Sequence, residues 1–465
     1  MIPQAAAGAT LLLTRARHRA FLRALAAPEE AQARVKARIE RALGACGYGR
    51  FGRRIEHLPV VRHEDLGPHI ARMQAGERDV IWPGAVDHWM TTSGSSGAKK
   101  PIPITPGLKG VFASALAVWA HDVLAHFYRP TSGRLFMALA PPREHALTHE
   151  ASFLGLLAPM ARTFLVAPKA LGSVRAPAAF RRALADALLT EKRLELISLW
   201  SPTYLLALMD LVGARDWTDV WPDLQFVSAW DCAAAAGPAR ELQRRLPHAR
   251  FQGKGLIATE APLTIPLASA PAPVPVLDQV YLEFRDDAGV LHPLADVRDG
   301  KTYSVVLSAP GGFLRYEIGD LVRVSGFAER TPCLTFIGRA DAVCDLVGEK
   351  LGEPVAAKAI GDRPGLLLPV LSPPHYVLLT EDAGHGGAVE AELMRGHHYA
   401  RARELGQLRE LHVVVVAGLR AKLIAAAEAE GQSMDSIKDR ALVHDLEKAQ
   451  ALLSRLSIAP PRPPP

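Results

Sequence analysis

The sequence predicts an α/β chain with a large N-terminal domain built on parallel and mixed sheets and a small α+β C-terminal domain. Three observations carry this expectation. The 465 residues exceed what one hydrophobic core serves, so two or three domains are expected. Residues 162–260 alternate short apolar runs with helical segments, the pattern of strands feeding helices across a largely parallel sheet. Beyond Gly338–Asp341 a helix, a strand and another helix follow in succession. The expected division is 1–338 for the large domain and 339–465 for the small one.

Composition narrows the partners. Hydrophobic content of 49% and charged content of 22% are ordinary for a soluble globular protein. The 54 basic and 48 acidic residues leave a net charge of +6, spread without a dense Lys/Arg run. Such a diffuse excess suits small anionic substrates and argues against nucleic acid. Cys46, Cys232, Cys333 and Cys344 lie far apart with no metal-ligand spacing, as expected in a reducing cytoplasm. The basic residues of the N-terminal stretch follow its apolar ones, the reverse of a secretory signal. The apolar stretch 111–127 is interrupted by His121, Asp122 and His126, so no membrane span is expected. A monomer or weak dimer is anticipated.

In chain order, residues 15–46 read as helix, and Gly47, Gly49 and Gly52 break it. Pro106 and Gly107 precede an amphipathic helix over 108–128, then a buried strand at 134–140. Strands are expected at 164–167, 196–200 and 224–230, with helices at 180–189 and 204–212. His145 and His149 sit close together, but with no third ligand they read as loop or pocket residues. Strands at 279–284 and 301–307 flank a turn marked by Asp286, Asp287 and Gly289. The small domain is read as a helix at 387–404, a strand at 411–416 and a helix at 419–430. The Pro-rich tail from Ile458 is expected to be extended or disordered.

Four stretches carry chemistry. In Trp89–Thr105, Thr91, Thr92, Ser93, Ser95 and Ser96 surround Gly94 and Gly97, and Lys99 and Lys100 follow. Glycine lets backbone N–H groups approach an anion, and lysine supplies compact positive charge. A Walker loop would open a helix, whereas Pro101 and Pro103 enforce an extended continuation. The strand, helix and acidic residue of a dinucleotide fingerprint are missing too. A polyphosphate loop and a plain Ser/Gly surface loop stay open on this evidence. Thr259 and Glu260 end an apolar segment, and a solvated strand end is the bland alternative. Tyr316, Gly319 and Asp320 form a Tyr-Glu-Ile-Gly-Asp box, and a carboxylate suits a vicinal diol because it only accepts hydrogen bonds. Gly338, Arg339, Asp341 and Gly348 form the last group; a turn glycine and a helix cap are the alternatives.

These boxes, in this order, resemble those of the adenylate-forming superfamily. The text from Leu58 to Gly76 further resembles the Gretchen Hagen (auxin-responsive promoter) acyl-acid–amido synthetases. The resemblance covers about 58–442. It implies a mobile small domain and ATP with Mg²⁺ as cofactors. Thr92, Ser93, Gly94, Ser95, Ser96, Gly97 and Lys100 would hold the phosphates. Thr259 would face the reacting centre and Glu260 the metal; Tyr316, Asp320 and Arg339 would hold the nucleoside, and Asp341 would lie at the hinge. Lys438, in the closing segment EGQSMDSIKDRAL, would stabilise charge on the α-phosphate; read alone it is a surface lysine. Glu317 stands where this family usually carries arginine, with Arg315 just upstream. The activity implied is ligation of a carboxylic acid to an amine, expected to be an amino acid, through an acyl-adenylate. A thioester-forming ligase and a non-catalytic member are the rivals.

Overall fold

The computed structural model describes residues 2–92, 100–137, 165–166, 174, 176–213, 215–432 and 437–458. The loop residues Ser93, Gly94, Ser95, Ser96, Gly97 and Lys99, the pair His145 and His149, and most of the strand expected at 164–167 lie outside them. The chain divides into two compact units. The first is built mainly from Met1–Arg134 and Lys254–Ile337, the second mainly from Val166–Gly253 and Gly338–Pro465.

The first unit is organised around a five-stranded sheet in the order Leu291–Pro293, Tyr281–Arg285, Thr302–Ser308, Tyr316–Ala328, Thr331–Arg339. Its first four strands pair antiparallel. Two helices, Ile2–Ala26 and Pro28–Leu43, replace the single helix expected over 15–46. Pro28 explains the break, because proline is tolerated in a helix only at its first turn, where its missing N–H is not needed. The second helix buries Ala31, Val35, Ile39 and Leu43 and, between them, Gln32. That amide is satisfied throughout: it donates to the Leu277 and Val280 carbonyls (2.6 and 2.8 Å) and accepts the Leu282 N–H (2.9 Å). A buried polar group paired in this way fixes register without a desolvation penalty. Phe284, Leu307 and Val322 are fully enclosed, and burial of each such side chain stabilises by about 1.5–3 kcal/mol.

Helix Pro106–His126 was expected to be amphipathic and to fall short of a membrane span. It is 21 residues long and apolar enough by length and composition to cross a membrane, a property that core helices of soluble proteins share. Leu108, Val111, Ala115 and Val118 bury into the core of the first unit, where the helix packs on Ile2–Ala26. The buried Asp122 accepts the Ala268 N–H at 2.8 Å.

Among the described residues the second unit holds two larger sheets and a two-stranded one, Val343–Cys344 with Leu351–Gly352. One of the larger two runs Arg134–Met137, Leu194–Ser198, Phe226–Ala229, Arg250–Gly253, and its last three strands pair parallel, as the alternation in the sequence predicts. Helices Pro177–Thr190, Pro202–Leu211 and Ala236–Arg245 connect them. The other sheet orders Gly365–Val370, His375–Thr380 and His412–Val415, the first pair antiparallel and the second parallel. Helices Glu353–Ile360, His385–Leu393, His397–Glu404, Leu419–Ala429 and Leu446–Arg455 accompany it. The helix expected over 387–404 is thus two, because the chain turns at Gly396. The other expected strands with described residues appear within two residues of their expected starts.

One junction in the first unit is sterically exacting. Gly311 has φ +82°, and a Cβ there would stand 2.4 Å from Thr105 Oγ1 and 2.5 Å from the Leu108 nitrogen. Gly311→Ala is therefore expected to destabilise the first unit by about 2 kcal/mol or more, as strain and overpacking add. Gly110→Ala, in helix Pro106–His126 with open space around it, is expected to be neutral or stabilising. Denaturant unfolding of both variants checks this, and equal midpoints would contradict it.

Candidate functional site

The Ser/Gly stretch is presented by a β-hairpin. His88–Thr92 and Lys100–Ile104 pair antiparallel with Thr92 opposite Lys100, the last and first described residues on either side of 93–99. The extended continuation that the prolines enforce is therefore the second hairpin strand. Lys100 Nζ lies 2.9 Å from Glu64 Oε1, and that hydrogen bond holds the Glu64 carboxyl below its ordinary range.

The hairpin feeds directly into helix Pro106–His126 through Thr105. Its hydroxyl accepts the Leu108 N–H (3.2 Å) as the N-cap and donates to the Gly311 carbonyl (2.6 Å). Five residues beyond Gly311 lies Tyr316, at the start of the long strand carrying the Gly-Asp box. A small cavity of about 10 Å³ beside this junction, lined in part by Trp82, Val86, Pro103 and Gly312, holds no more than a water.

The box itself is bulged. Val306 pairs with Glu317 and Ser304 with Leu321, so two steps on one strand face four on the other. Gly319, at φ +83°, supplies the left-handed backbone that this irregularity requires. Tyr316, Ile318 and Asp320 are buried, at 3%, 7% and 7% exposure. The Tyr316 hydroxyl donates to Glu260 Oε1 at 3.3 Å. Glu260, 6% exposed, follows Thr259 in a tight turn closed by the Ala258 N–H bond to the Ala261 carbonyl (3.1 Å). The fold thus brings the Thr-Glu and Gly-Asp boxes together in the first unit, 56 residues apart in sequence.

Glu317 has an account in this geometry. It accepts from Arg62 (3.1 Å) and Arg285 (2.8 Å), while Arg315 pairs with Glu283 at 2.8 Å. Arg315 also donates to the Glu56 and Leu58 carbonyls. Its hydrogen bond to Glu283 raises the guanidinium further above its ordinary value.

In the second unit Arg339 grips Asp341 with two bonds of 2.8 and 3.0 Å. Burial raises the Asp341 carboxyl, but the hydrogen bond and charge of Arg339 outweigh it and the net shift is downward. Arg339 and Lys438 act on one carboxylate, Glu353, which burial pushes up against the Ala441 N–H bond and the attraction of Arg440, Lys438 and Arg339. Glu353, Thr105 and Asp439 escape the sequence reading. Only Thr105 carried a signal, a threonine directly before a proline that opens an apolar helix. Among the described residues no cluster of three His, Cys, Asp or Glu side chains forms a metal cage.

Residues 53–212 match the model of the GH3 family N-terminal domain, and 274–339 that of the GH3 family central domain, as the sequence resemblance anticipates. A probable indole-3-acetic acid-amido synthetase GH3.9 of Oryza sativa subsp. japonica is 28% identical over 215 residues, 38% of this chain and 49% of that protein. Indole-3-acetic acid-amido synthetase GH3.4 of Arabidopsis thaliana is 36% identical over 99 residues, 19% of this chain and 17% of its own length. The chain thus spans half or less of these relatives' length. The solved AtGH3.15 acyl acid amido synthetase superimposes with a TM-score of 0.80 at 19% identity, covering 94% of this chain and 95% of the other. A 2-hydroxyisobutyryl-CoA ligase gives 0.61 at 14% identity, covering 93% and 92%. These two likenesses establish an adenylate-forming fold.

Replacing Glu317 by the arginine usual in the family would set three guanidinium groups against one another. Glu317→Arg is expected to lower the thermal midpoint by several degrees, since it replaces two attractive contacts of an enclosed carboxylate by like-charge contacts. Differential scanning calorimetry checks this; an unchanged midpoint would show that the Arg62–Glu317–Arg285 group is dispensable.

Proposed function

Because residues 53–212 and 274–339 match the models of the GH3 family N-terminal and central domains, we propose that the chain is an ATP-dependent ligase joining a carboxylic acid to an amine. One observation supports this above the others: the bulge at Gly319 buries Asp320 beside Tyr316, and Tyr316 reaches Glu260. A buried carboxylate for the ribose hydroxyls and a second for a cation are the groups that nucleotide activation of an acid needs.

In this reading an oxygen of the acid attacks the α-phosphorus of ATP, and the bond to pyrophosphate breaks. Activation is needed because a carboxylate expels oxide poorly, whereas an acyl-adenylate expels AMP readily. Asp320 accepts hydrogen bonds from both ribose hydroxyls, Tyr316 packs beside the nucleoside and Arg339 contacts it. Thr92, Ser93, Gly94, Ser95, Ser96 and Gly97 wrap the β- and γ-phosphates with Lys100, which would exchange Glu64 for a phosphate oxygen. Thr259 faces the reacting carboxylate. Glu260 offers a buried carboxylate hydrogen-bonded by a neutral phenol, which fits Mg²⁺, an ion held by one or two carboxylates with phosphate oxygens and water. Bound there, the ion would neutralise charge on the phosphates. Lys438 steadies negative charge at the α-phosphate. The amine nitrogen then attacks the acyl carbon, the bond to AMP breaks, and the ammonium proton passes to a base or to water.

We further propose amino acids as acceptors, Asp341 as the hinge, a domain shift between the two steps, and a cytoplasmic monomer or weak dimer acting on neither nucleic acid nor membrane. All four cysteines are unpaired, which supports the compartment.

Across a panel of carboxylic acids, at least one is expected to drive ATP–pyrophosphate exchange and release AMP. Asp320→Ala should abolish this or raise the KM for ATP by more than tenfold, as a buried charge-assisted contact is lost. ADP as the nucleotide product would refute the reading.

With ATP, that acid and the twenty amino acids, mass spectrometry is expected to find an acyl–amino acid amide. An attacking amine must be uncharged, so transfer should accelerate as pH rises toward about 8, the α-amino pKa. An acyl–coenzyme A product from a parallel incubation, with no amide, would assign the thioester reaction instead.

A further inference from the structure

The stretch carrying Lys438 is held at several points within the second unit. Ile437 packs against the apolar core of the parallel sheet. Beyond Lys438, the Ala441 N–H donates to Glu353 at 3.4 Å, and Ala441 and Leu442 enter the core of the three-stranded sheet. Between these points Lys438 and Arg440 are exposed, and Asp439 turns the other way. The hydroxyls of Ser201 and Thr203, at the start of helix Pro202–Leu211, hydrogen-bond its carboxyl. The residue as a whole is half-buried, but Oδ2 is shut off from solvent and has no hydrogen-bond partner.

We propose that Asp439 is the positioning residue for Lys438: gripped by Ser201 and Thr203, its carboxyl anchors the Lys438 segment to helix Pro202–Leu211, and the segment shifts only when that anchor lets go. This rests on the role given to Lys438 above. A purely structural carboxylate is expected to be fully satisfied, because a half-satisfied buried one costs free energy. Asp439 is half-satisfied, which suits a contact that must break as well as form.

The anchor is proton-linked, and the direction follows from its surroundings. Ser201 and Thr203 are neutral, and the one charged group acting on Asp439 from another element is Arg420. That guanidinium is itself engaged by Asp210 (2.5 Å) and Glu241 (2.6 Å). Burial dominates and pushes the Asp439 carboxyl up to about 6, against the two hydroxyl bonds and the attraction of Arg420. A released aspartate titrates near 3.9. The anchored state therefore binds the proton more tightly. It is strongest at low pH, loses hold as pH rises from about 4, and levels off above about 6. From these two values the anchored-to-released ratio falls roughly tenfold between pH 5 and pH 8.

Hydrogen–deuterium exchange of the full chain reads this directly in peptides covering Ile437–Leu442, with the Phe226–Ala229 strand as internal reference. After correction for intrinsic exchange, wild-type protection should fall roughly tenfold from pH 5 to pH 8. Asp439→Asn keeps the size and hydrogen bonding but cannot ionise, so its protection should stay within about twofold over the same range. Asp439→Ala should lower protection at both pH values and reduce the kcat of acid-dependent ATP–pyrophosphate exchange with little change in the KM for ATP, and the asparagine variant should restore that kcat. Wild-type protection that does not vary with pH would overturn the proposal, as would an asparagine variant that varies as wild type does. The expected exchange pattern in a protein that shows no ATP–pyrophosphate exchange with any acid would leave the anchor standing and remove the ligase reading.

Discussion

One hydroxyl holds the chemistry of the first unit in place. Thr105 Oγ1 caps helix Pro106–His126 by accepting the Leu108 N–H and donates its own proton to the Gly311 carbonyl, 206 positions away. The same atom thus ends the hairpin that presents the Ser/Gly stretch and begins the approach to the Tyr316–Asp320 bulge. A helix cap is worth about 1 kcal/mol, but its position matters more here than its energy. Gly107 would meet the Gly311 Cα at 3.1 Å if it carried a Cβ, and Gly312 would meet the Glu260 carbonyl at 3.5 Å. Backbone segments at this spacing leave little slack, so a displacement at the hairpin is passed to Glu260 and Tyr316 rather than absorbed.

Charge arrangement around the bulge explains why the box tolerates an unusual residue. Along one strand run Glu283 and Arg285; along the segment two strands over run Arg315 and Glu317. The signs are opposed pair by pair, Arg315 with Glu283 and Arg285 with Glu317. Glutamate at 317 is therefore one member of a matched set rather than an isolated departure. With 10% side-chain exposure for Glu317 and 11–12% for the Glu283–Arg315 pair, these groups are screened less than surface pairs.

Periodicity makes most elements legible in the sequence. The parallel strands at Leu194–Ser198 and Phe226–Ala229 are short, mostly apolar runs, with Glu195 the one charged residue in them, and each lies between helical segments. Ends and interruptions are less so. Pro28 sits inside a continuous Ala/Arg/Glu pattern, and a helix count made on composition alone passes over it. Gly396 hides in the same way. The site divides along a physical line as well. Asp320 and Glu260 stand out through the family resemblance, and their residue types suit a vicinal diol and a cation. Thr105, Glu353 and Asp439 act through contacts with residues far away in sequence, and no local pattern encodes a partner 206 or 88 positions distant.

The threading of the second unit bears on how the chain is made. Its parallel sheet is complete in sequence by Gly253, yet Ile424 and Ile437 pack into the core of that sheet, and Arg181 and Arg420 find their carboxylates across the same gap. A ribosome releasing this protein from its N-terminus therefore exposes an apolar face for roughly 170 residues of further synthesis, at about 5–20 residues per second. For that interval, on the order of ten seconds or more, the nascent sheet is an aggregation hazard. Drawing one core from stretches of sequence about 170 residues apart leaves that core incomplete until late in synthesis.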